Sequence, residues 1–549
     1  MKTVSSYLIL GAAVALASCN DFLDKLPDSR TQIDTPEKVT SILVSAYPET
    51  EATVLCEMAS DNAMDNGYQY TIESKYQQEA YLWEDVTETE QDTPSAFWES
   101  CYKAIATANQ ALEAIKDLGG DASMNPQKGE ALMCRAWSHF LLANLFCQAY
   151  NPETADSLLG LPYSTTPETT VRPSYTRGTL HQLYENIEKD IEAGLPLISD
   201  DLYTSSKYHF NKKAAYAFAA RFYLYYQKWD KVIACANEVL GSDPTSVLRN
   251  WAGISQKAAN YETRCNAFID ADDAANLLLM TAYSSSPYYL GAYSVGERYA
   301  FHPDYICRRE SYRATGIWGN NTLYLANSCF GNSQKIAISK YYGYFEYTDK
   351  VQQIGYRRSV ISYLTTDETL LCRAEAYAML GSQHYQDAVK DINYWLDTNV
   401  KESMNVTLND VVNTYKRMSY MERDGRPIVA GGGTPKKRLH PLGFTLADDG
   451  IQENLIQCIL HLRRCQTAQE GLRWMDIKRW GIEICHNREG YPADTLKLND
   501  PRRAFQIPGD VIDAGLQPNP RTVTTEITGN LSFCPFVRED KPFISSFNK

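Results

Sequence analysis

With 549 residues, 44% of them hydrophobic, the chain can bury a sizeable core, either as several ordinary domains or as one extended helical-repeat body. Lys and Arg number 53 against 67 Asp and Glu, a net charge of −14 that repels phosphate backbones and sets nucleic acid aside as a partner. Fourteen cysteines are far below the density of a disulfide scaffold, and no CxxC, HExxH or Cys/His cluster at zinc spacing occurs, so reduced core cysteines are expected.

The chain begins MKTVSSYLILGAAVALASCND. Lys2 supplies a basic start, residues 7–16 are apolar, and the small residues Ala17 and Ser18 precede Cys19. A spanning helix needs roughly 20 apolar residues and a secretory core about 7–15, so residues 1–18 read as a cleaved signal peptide. Leu16, Ala17, Ser18 and Cys19 resemble the lipobox of bacterial lipoproteins, which implies acylation of Cys19. Several acyl chains on one residue anchor firmly, because each buried methylene adds about 0.8 kcal/mol. No second apolar run approaches spanning length, so the mature chain is expected to be held at a membrane by its lipid alone.

Long helical patterns follow. Residues 97–118 (FWESCYKAIATANQALEAIKDL) and 128–150 (KGEALMCRAWSHFLLANLFCQAY) form the first pair. In the second of these, Leu132, Ala136, Phe140, Ala143 and Cys147 make one apolar stripe, and Met133, Trp137, Leu141 and Leu145 make another beside it, so a wide face is predicted to be buried. Tyr184, Ile187, Ile191 and Leu195 share offsets with Trp229, Val232, Ala236 and Leu240, and with Tyr385, Ala388, Ile392 and Leu396. Ala-rich helices are predicted just before the last two segments, an arrangement that resembles degenerate tetratricopeptide helix pairs.

Residues 241–360 are rich in Tyr, Ser, Gly and Asn, and 400–450 contain GGGTPKKRLHPLG; both read as loops and short strands laid over a helical frame. Helix resumes over 451–480, and QIPGDVIDAGLQPNP belongs to an extended Pro-rich tail.

In this order, the lipobox with CNDFLDKLPDS, the SDNAMDNG stretch, KGEALMCRAWSHFLLANLF, NKKAAYAFAARFYLYYQKWDKVIACANEVL, LLCRAEAYAMLG, LHLRRCQTAQEGLRWMDIKRWG and IPGDVIDAGLQPNP resemble the RagB/SusD family of outer-membrane nutrient-binding lipoproteins. The resemblance covers nearly the whole mature chain and implies a mainly α SusD-like fold, in which four tetratricopeptide-like helix pairs support an irregular, loop-rich ligand-binding half. Residues 19–549 then form a single body, with the scaffold mainly in 40–240 and 361–400, the loop-rich part mainly in 241–360 and 400–450, and a C-terminal helix and tail in 451–549. The implied function is capture of an oligosaccharide or polysaccharide at the cell surface and delivery to a SusC-like TonB-dependent transporter, with no catalysis. A peptide-binding RagB-like role and a surface glycosidase are the alternatives. The polar Asn20, Asp21 and Asp24 after Cys19 resemble a surface-export signal in such bacteria.

Sugar recognition needs flat apolar faces and hydrogen-bonding groups together, and 38 Tyr against 17 Phe favours rings with a polar handle. Three clusters are candidates: Asp65, Asn66, Tyr68, Tyr70 and Trp83; Tyr288, Tyr289 and Tyr293; and Trp318, which stands between glycines. An aromatic beside Gly and Asn in a loop has little core to enter, so these rings are expected to be exposed. Trp474 and Trp480 are assigned to structure. No cofactor is expected. Calcium finds no support, since Asp61 and Asp65 are followed by a glycine one place late for a calcium loop, Ala63 holds its third position, and Asp270, Asp272 and Asp273 read as a solvated turn. No GxSxG, P-loop or dinucleotide fingerprint is present, and paired carboxylates for glycoside hydrolysis depend on a separation in space.

Overall fold

The computed structural model describes residues 33–72, 74–168, 175–293, 298–421, 434–489 and 491–521; Cys19 and the export segment lie outside them. The fold is mainly α, as predicted. The first helices are α1 (Pro36–Leu43), α2 (Thr53–Ala59), α3 (Lys75–Tyr81), α4 (Pro94–Asp117), α5 (Asn125–Phe146), α6 (Leu180–Gly194), α7 (Lys212–Tyr225) and α8 (Trp229–Leu240). Short helical turns and strands fill the next stretch, and then come α9 (Thr366–Met379), α10 (Tyr385–Asn399), α11 (Leu408–Arg417), α12 (Gln452–Gln466) and α13 (Leu472–Arg479). No helix among the described residues is long and apolar enough to cross a membrane.

Local chemistry sets the helix ends. Thr93 caps α4, Asn211 caps α7 and Thr365 caps α9 by accepting a backbone N–H of the first turn, while Thr179 and Gln182 form a reciprocal capping box on α6. Gly381 follows α9 at φ 94°, the left-handed conformation that turns the chain into α10. Helices pack on their sequence neighbours, α4 on α5, α5 on α6, α7 on α8 and α9 on α10; α8 and α12 also pack on α9. The double stripe of α5 is buried along almost its whole length, with Trp137 and Phe140 at its centre. The twelve described cysteines are all free, ten of them buried.

The strands are short. β1 (Met64–Asp65) pairs with β3 (Tyr299–Ala300), β4 (Cys329–Gly331) with β5 (Ile336–Ile338), and β8 (Ile484–Arg488) with β9 (Tyr491–Leu496). The largest sheet is antiparallel, with β7 (Ile354–Thr365) between β2 (Asn276–Tyr283) and β6 (Tyr344–Asp349). The far end of β7 is buried and runs through Thr365 straight into α9, whereas β6 and the start of β7 stand in solvent.

The centre of the frame is charged. Every residue of α12 except Glu453 is buried, including Arg463 and Arg464. Arg463 Nε lies 3.1 Å from Asp476 on α13 and its guanidinium 3.7 and 3.8 Å from Glu368 and Glu375 on α9. Arg479 joins Asp476 and Glu375, each at 2.8 Å, and Arg221 on α7 joins Glu368 at 3.0 Å. These three carboxylates and three guanidiniums balance in charge, the condition under which ions tolerate burial. Smaller bidentate pairs repeat the device, Arg135 with Asp190 between α5 and α6 and Arg373 with Asp391 between α9 and α10. Burial alone would raise the Asp476 carboxyl, but Arg463 and Arg479 outweigh it and hold it below the ordinary carboxylate range. Its contribution to stability is therefore present at neutral pH and is lost as the pH falls through its native value.

Asp476→Asn leaves two buried guanidiniums short of a counter-charge and is predicted to lower stability in urea titrations at pH 7 by about 3–5 kcal/mol. Lys38→Ala, at an exposed pair with Asp34, should leave it unchanged within the error of the titration.

Candidate functional site

Segments far apart in sequence converge on one face. The loop over 65–70 leaves β1 with Asp65, whose carboxylate accepts the Gly67 N–H at 2.8 Å and meets the Arg298 guanidinium at 3.0 and 3.2 Å. Asn66 donates its N–H to the Arg298 carbonyl at 2.7 Å and its side-chain amide to the Gln334 carbonyl at 3.2 Å. Gly67 has φ 101°, and a Cβ there would fall against the Glu489 carboxylate, which accepts the Tyr68 N–H at 2.7 Å. The loop is thus held at both ends, and it presents Tyr68 with 66% of its surface exposed and Tyr70 half-buried. Burial opposes the charge of Arg298, but the bonds to Asp65 outweigh it and keep the guanidinium above its ordinary pKa.

The second segment follows β2. A short helical turn, Ser286–Tyr289, sends Tyr289 inward, edge-on to Tyr76 on α3 with ring centroids 5.8 Å apart, and leaves Tyr288 half-buried at the surface. Tyr288 stacks on the exposed Tyr293 at 4.9 Å with 23° between the rings, and the Arg357 guanidinium sits 4.1 Å from the Tyr288 centroid. Lys335 donates its ammonium hydrogens to the carbonyls of Tyr288 at 3.0 Å and Tyr293 at 2.7 Å, so the 334–335 turn links this segment to Asn66. Beneath it, Glu51 accepts hydrogen bonds from Ser284 and Ser286, and Asp92 accepts the Ser285 N–H at 2.6 Å. Burial, reinforced by the neighbouring charge of Glu51, pushes the Asp92 carboxyl up to about 8.

The structure therefore brings together Asp65, Asn66, Tyr68 and Tyr70 with Tyr288 and Tyr293. Three rings expected on exposed loops lie elsewhere in the packing. Trp83 is 6% exposed; its indole N–H donates to the Ala59 carbonyl at 2.8 Å and its ring stacks on His486 at 4.2 Å. Trp318 is 3% exposed, folded onto His461 of α12 at 4.8 Å and Trp395 of α10 at 6.2 Å. Tyr289 is buried as described. In each case a neighbouring apolar face lay far away in sequence, so a glycine-flanked or loop aromatic had a core to enter after all. Trp474 and Trp480, assigned to structure, are fully buried. Asp61 is occupied by Arg473 at 2.7 Å, Arg464 at 3.3 Å and Lys437 at 3.4 Å; burial would raise its carboxyl, and Arg464 and Arg473 instead hold it well below the ordinary range. Arg298, Lys335, Arg357 and Glu489 carry no local sequence signal, because their partners are distant along the chain.

Residues 21–224 match the SusD-like family model described as starch-binding and associating with the outer membrane. SusD-like protein P2 of Formosa agariphila is 24% identical over 416 residues, 70% of this chain and 71% of that protein. A putative sugar binding protein from Bacteroides vulgatus superposes with a TM-score of 0.61 at 16% identity, covering 90% of this chain and all of the other. The chain has the SusD-like fold. A laminarin binding SusD-like protein has a TM-score of 0.50 at 15% identity over 88% of this chain and 98% of that one. The SusD-like fold thus accounts for the helical frame and for the loops that it carries.

Core and surface rings should separate cleanly by stability. Trp318→Ala is predicted to lose about 3–5 kcal/mol in urea titrations, and Tyr293→Ala no more than about 0.5 kcal/mol; equal losses would contradict the placement of Trp318.

Proposed function

We propose that this SusD-like protein is a glycan-binding lipoprotein of the cell surface that captures oligosaccharide and passes it to a SusC-like TonB-dependent transporter. The observation that carries the reading is the stacked, partly exposed Tyr288–Tyr293 pair with Arg357 beside it, joined through the 334–335 turn to the ordered loop bearing Tyr68 and Tyr70. A pyranose offers a flat C–H face and a rim of hydroxyls, and ring faces flanked by amide, carboxylate and guanidinium groups meet both. In this proposal Tyr68, Tyr70, Tyr288 and Tyr293 touch the sugar, Asp65 and Asn66 shape the rim, Trp83 and Tyr289 support the face from within, and Trp318 belongs to the helical core. Ligand enters a face already ordered by Lys335 and Arg298, which lowers the entropy cost of binding. The starch-binding description of the family and the laminarin-binding neighbour support glycan as the ligand class. No covalent step is assigned to these residues.

Two experiments test the reading. Affinity electrophoresis against amylopectin, laminarin and other soluble glycans should show retention of the wild-type protein, and Tyr288→Ala with Tyr293→Ala should weaken it by about tenfold or more. Selective binding of oligopeptides instead, or new reducing ends during incubation with glycan, would overturn the proposal. Cys19 is proposed as the acylated residue: Cys19→Ser should move the protein from the detergent phase to the aqueous phase and abolish labelling by radioactive palmitate. Alanine at Asn20, Asp21 and Asp24 should keep the anchor but remove accessibility to protease on intact cells.

A further inference from the structure

The hairpin formed by β6 and β7 exposes more apolar surface than a strand pair needs. Tyr344, Phe345, Tyr347, Val351, Ile354 and Tyr356 are all exposed, whereas the far half of β7 is buried in the body. Strand alternation divides these side chains between two faces. On one face Tyr356 meets Tyr283 edge-on at 5.5 Å, Arg358 lies 4.6 Å from the Tyr283 ring and pairs with Glu346 at 2.8 Å, and the Tyr344 hydroxyl donates to Asn266 at 2.9 Å. Those rings are held by the protein itself.

The other face carries Phe345 and Tyr347, 40% and 44% exposed, with ring centroids 4.8 Å apart. Phe345 stands directly opposite Arg357, and Tyr347 opposite Gly355. A Cβ at position 355 would fall against the Glu346 carbonyl and 2.8 Å from Phe345 Cε1, so only glycine lets the Phe345 ring lie down across the neighbouring strand. Arg357 in turn reaches over Tyr288, which stacks on Tyr293. Tyr347, Phe345, Arg357, Tyr288 and Tyr293 therefore follow one another from the hairpin to the pair described above, with the Phe345 and Tyr347 rings set edge-to-face at 68°. Side chains two apart on a strand are about 6.8 Å apart, so the row lengthens the aromatic surface beyond the Tyr288–Tyr293 pair. An exposed apolar strip of this kind, continuous with a ligand face, marks an interaction surface.

We propose that the Phe345–Tyr347 face is an additional subsite that holds further sugar units of a glycan already seated on Tyr288 and Tyr293, so that affinity rises with chain length. The inference rests on the glycan reading of the Tyr288–Tyr293 face. Extra rings add favourable contact on a chain already immobilised, and the hairpin is fixed to the frame through β7, so the added contact orders little new structure.

The test compares wild type, the Phe345→Ala/Tyr347→Ala double variant, Tyr347→Ala alone and the Tyr288→Ala/Tyr293→Ala double variant. Each is titrated calorimetrically with malto- and laminari-disaccharides and heptasaccharides and run in affinity gels with amylopectin and laminarin. The hairpin variants should weaken heptasaccharide and polysaccharide binding by about tenfold, leave disaccharide binding unchanged, and keep the wild-type melting temperature. Wild-type heptasaccharide affinity in the hairpin variants, alongside loss in the Tyr288/Tyr293 variant, overturns the subsite while leaving the glycan reading intact. Failure of the wild type to bind any of these glycans overturns that reading, and the subsite with it.

Discussion

Arg463 is fully buried in the last turn of α12, and the rest of the frame is arranged so that this charge is tolerable. A guanidinium out of water is acceptable only with its counter-charges in place, and these come from three directions: Asp476 on α13, and Glu368 and Glu375 on α9. Each carboxylate then needs a second cation, which brings in Arg479 and, through Glu368, Arg221 on α7. Apolar packing alone would let neighbouring helices slide by a fraction of a turn at modest cost. A balanced ion lattice does not, since a shift leaves a buried charge unpaired. The lattice therefore sets the relative positions of α7, α9, α12 and α13.

That rigidity reaches the proposed ligand face through short covalent and hydrogen-bonded links. β7 ends at Thr365, the cap of α9, so the sheet is a direct extension of a lattice helix. Asp61, just after α2, is clamped by Arg464 and Arg473 from α12 and α13, and the chain passes from there in a few residues to β1 and the 65–70 loop. Lys335 then draws the carbonyls of Tyr288 and Tyr293 together. Each step fixes backbone and leaves ring faces in solvent. A binding surface that must meet flat, weakly interacting ligands gains from such order, because little of the contact energy is lost to ordering the loops.

Much of the frame was legible in the sequence, because helices are written locally. The two stripes of α5, the capping Thr93, Thr179 and Thr365, and the turn glycine Gly381 all lie within a few residues of what they determine. The lattice was not legible: Arg463 and Glu368 stand on helices far apart in sequence, and nothing near either one names the other. The same reason governs the site. Composition and turn residues located the loop tyrosines at 68, 70, 288 and 293, yet whether a given ring faces water depends on which distant surface closes over it. His486 covers Trp83, and His461 with Trp395 covers Trp318, across separations that periodicity cannot span. Tyr68 is positioned by Glu489, 421 residues away. The Phe345–Tyr347 strip shows in the sequence as an aromatic alternation, but its alignment with Tyr288 emerges only from the register of β6 on β7.

Under the proposed function, a charge-locked helical frame presents one ring-lined face to glycan. Hydrogen–deuterium exchange with and without the best-retained glycan tests it most directly. Backbone amides over 452–480 should exchange slowest and be indifferent to ligand, while protection on binding should be confined to 64–70, 284–293 and 343–358. Rapid exchange through 452–480, or protection centred on some other face, would contradict it.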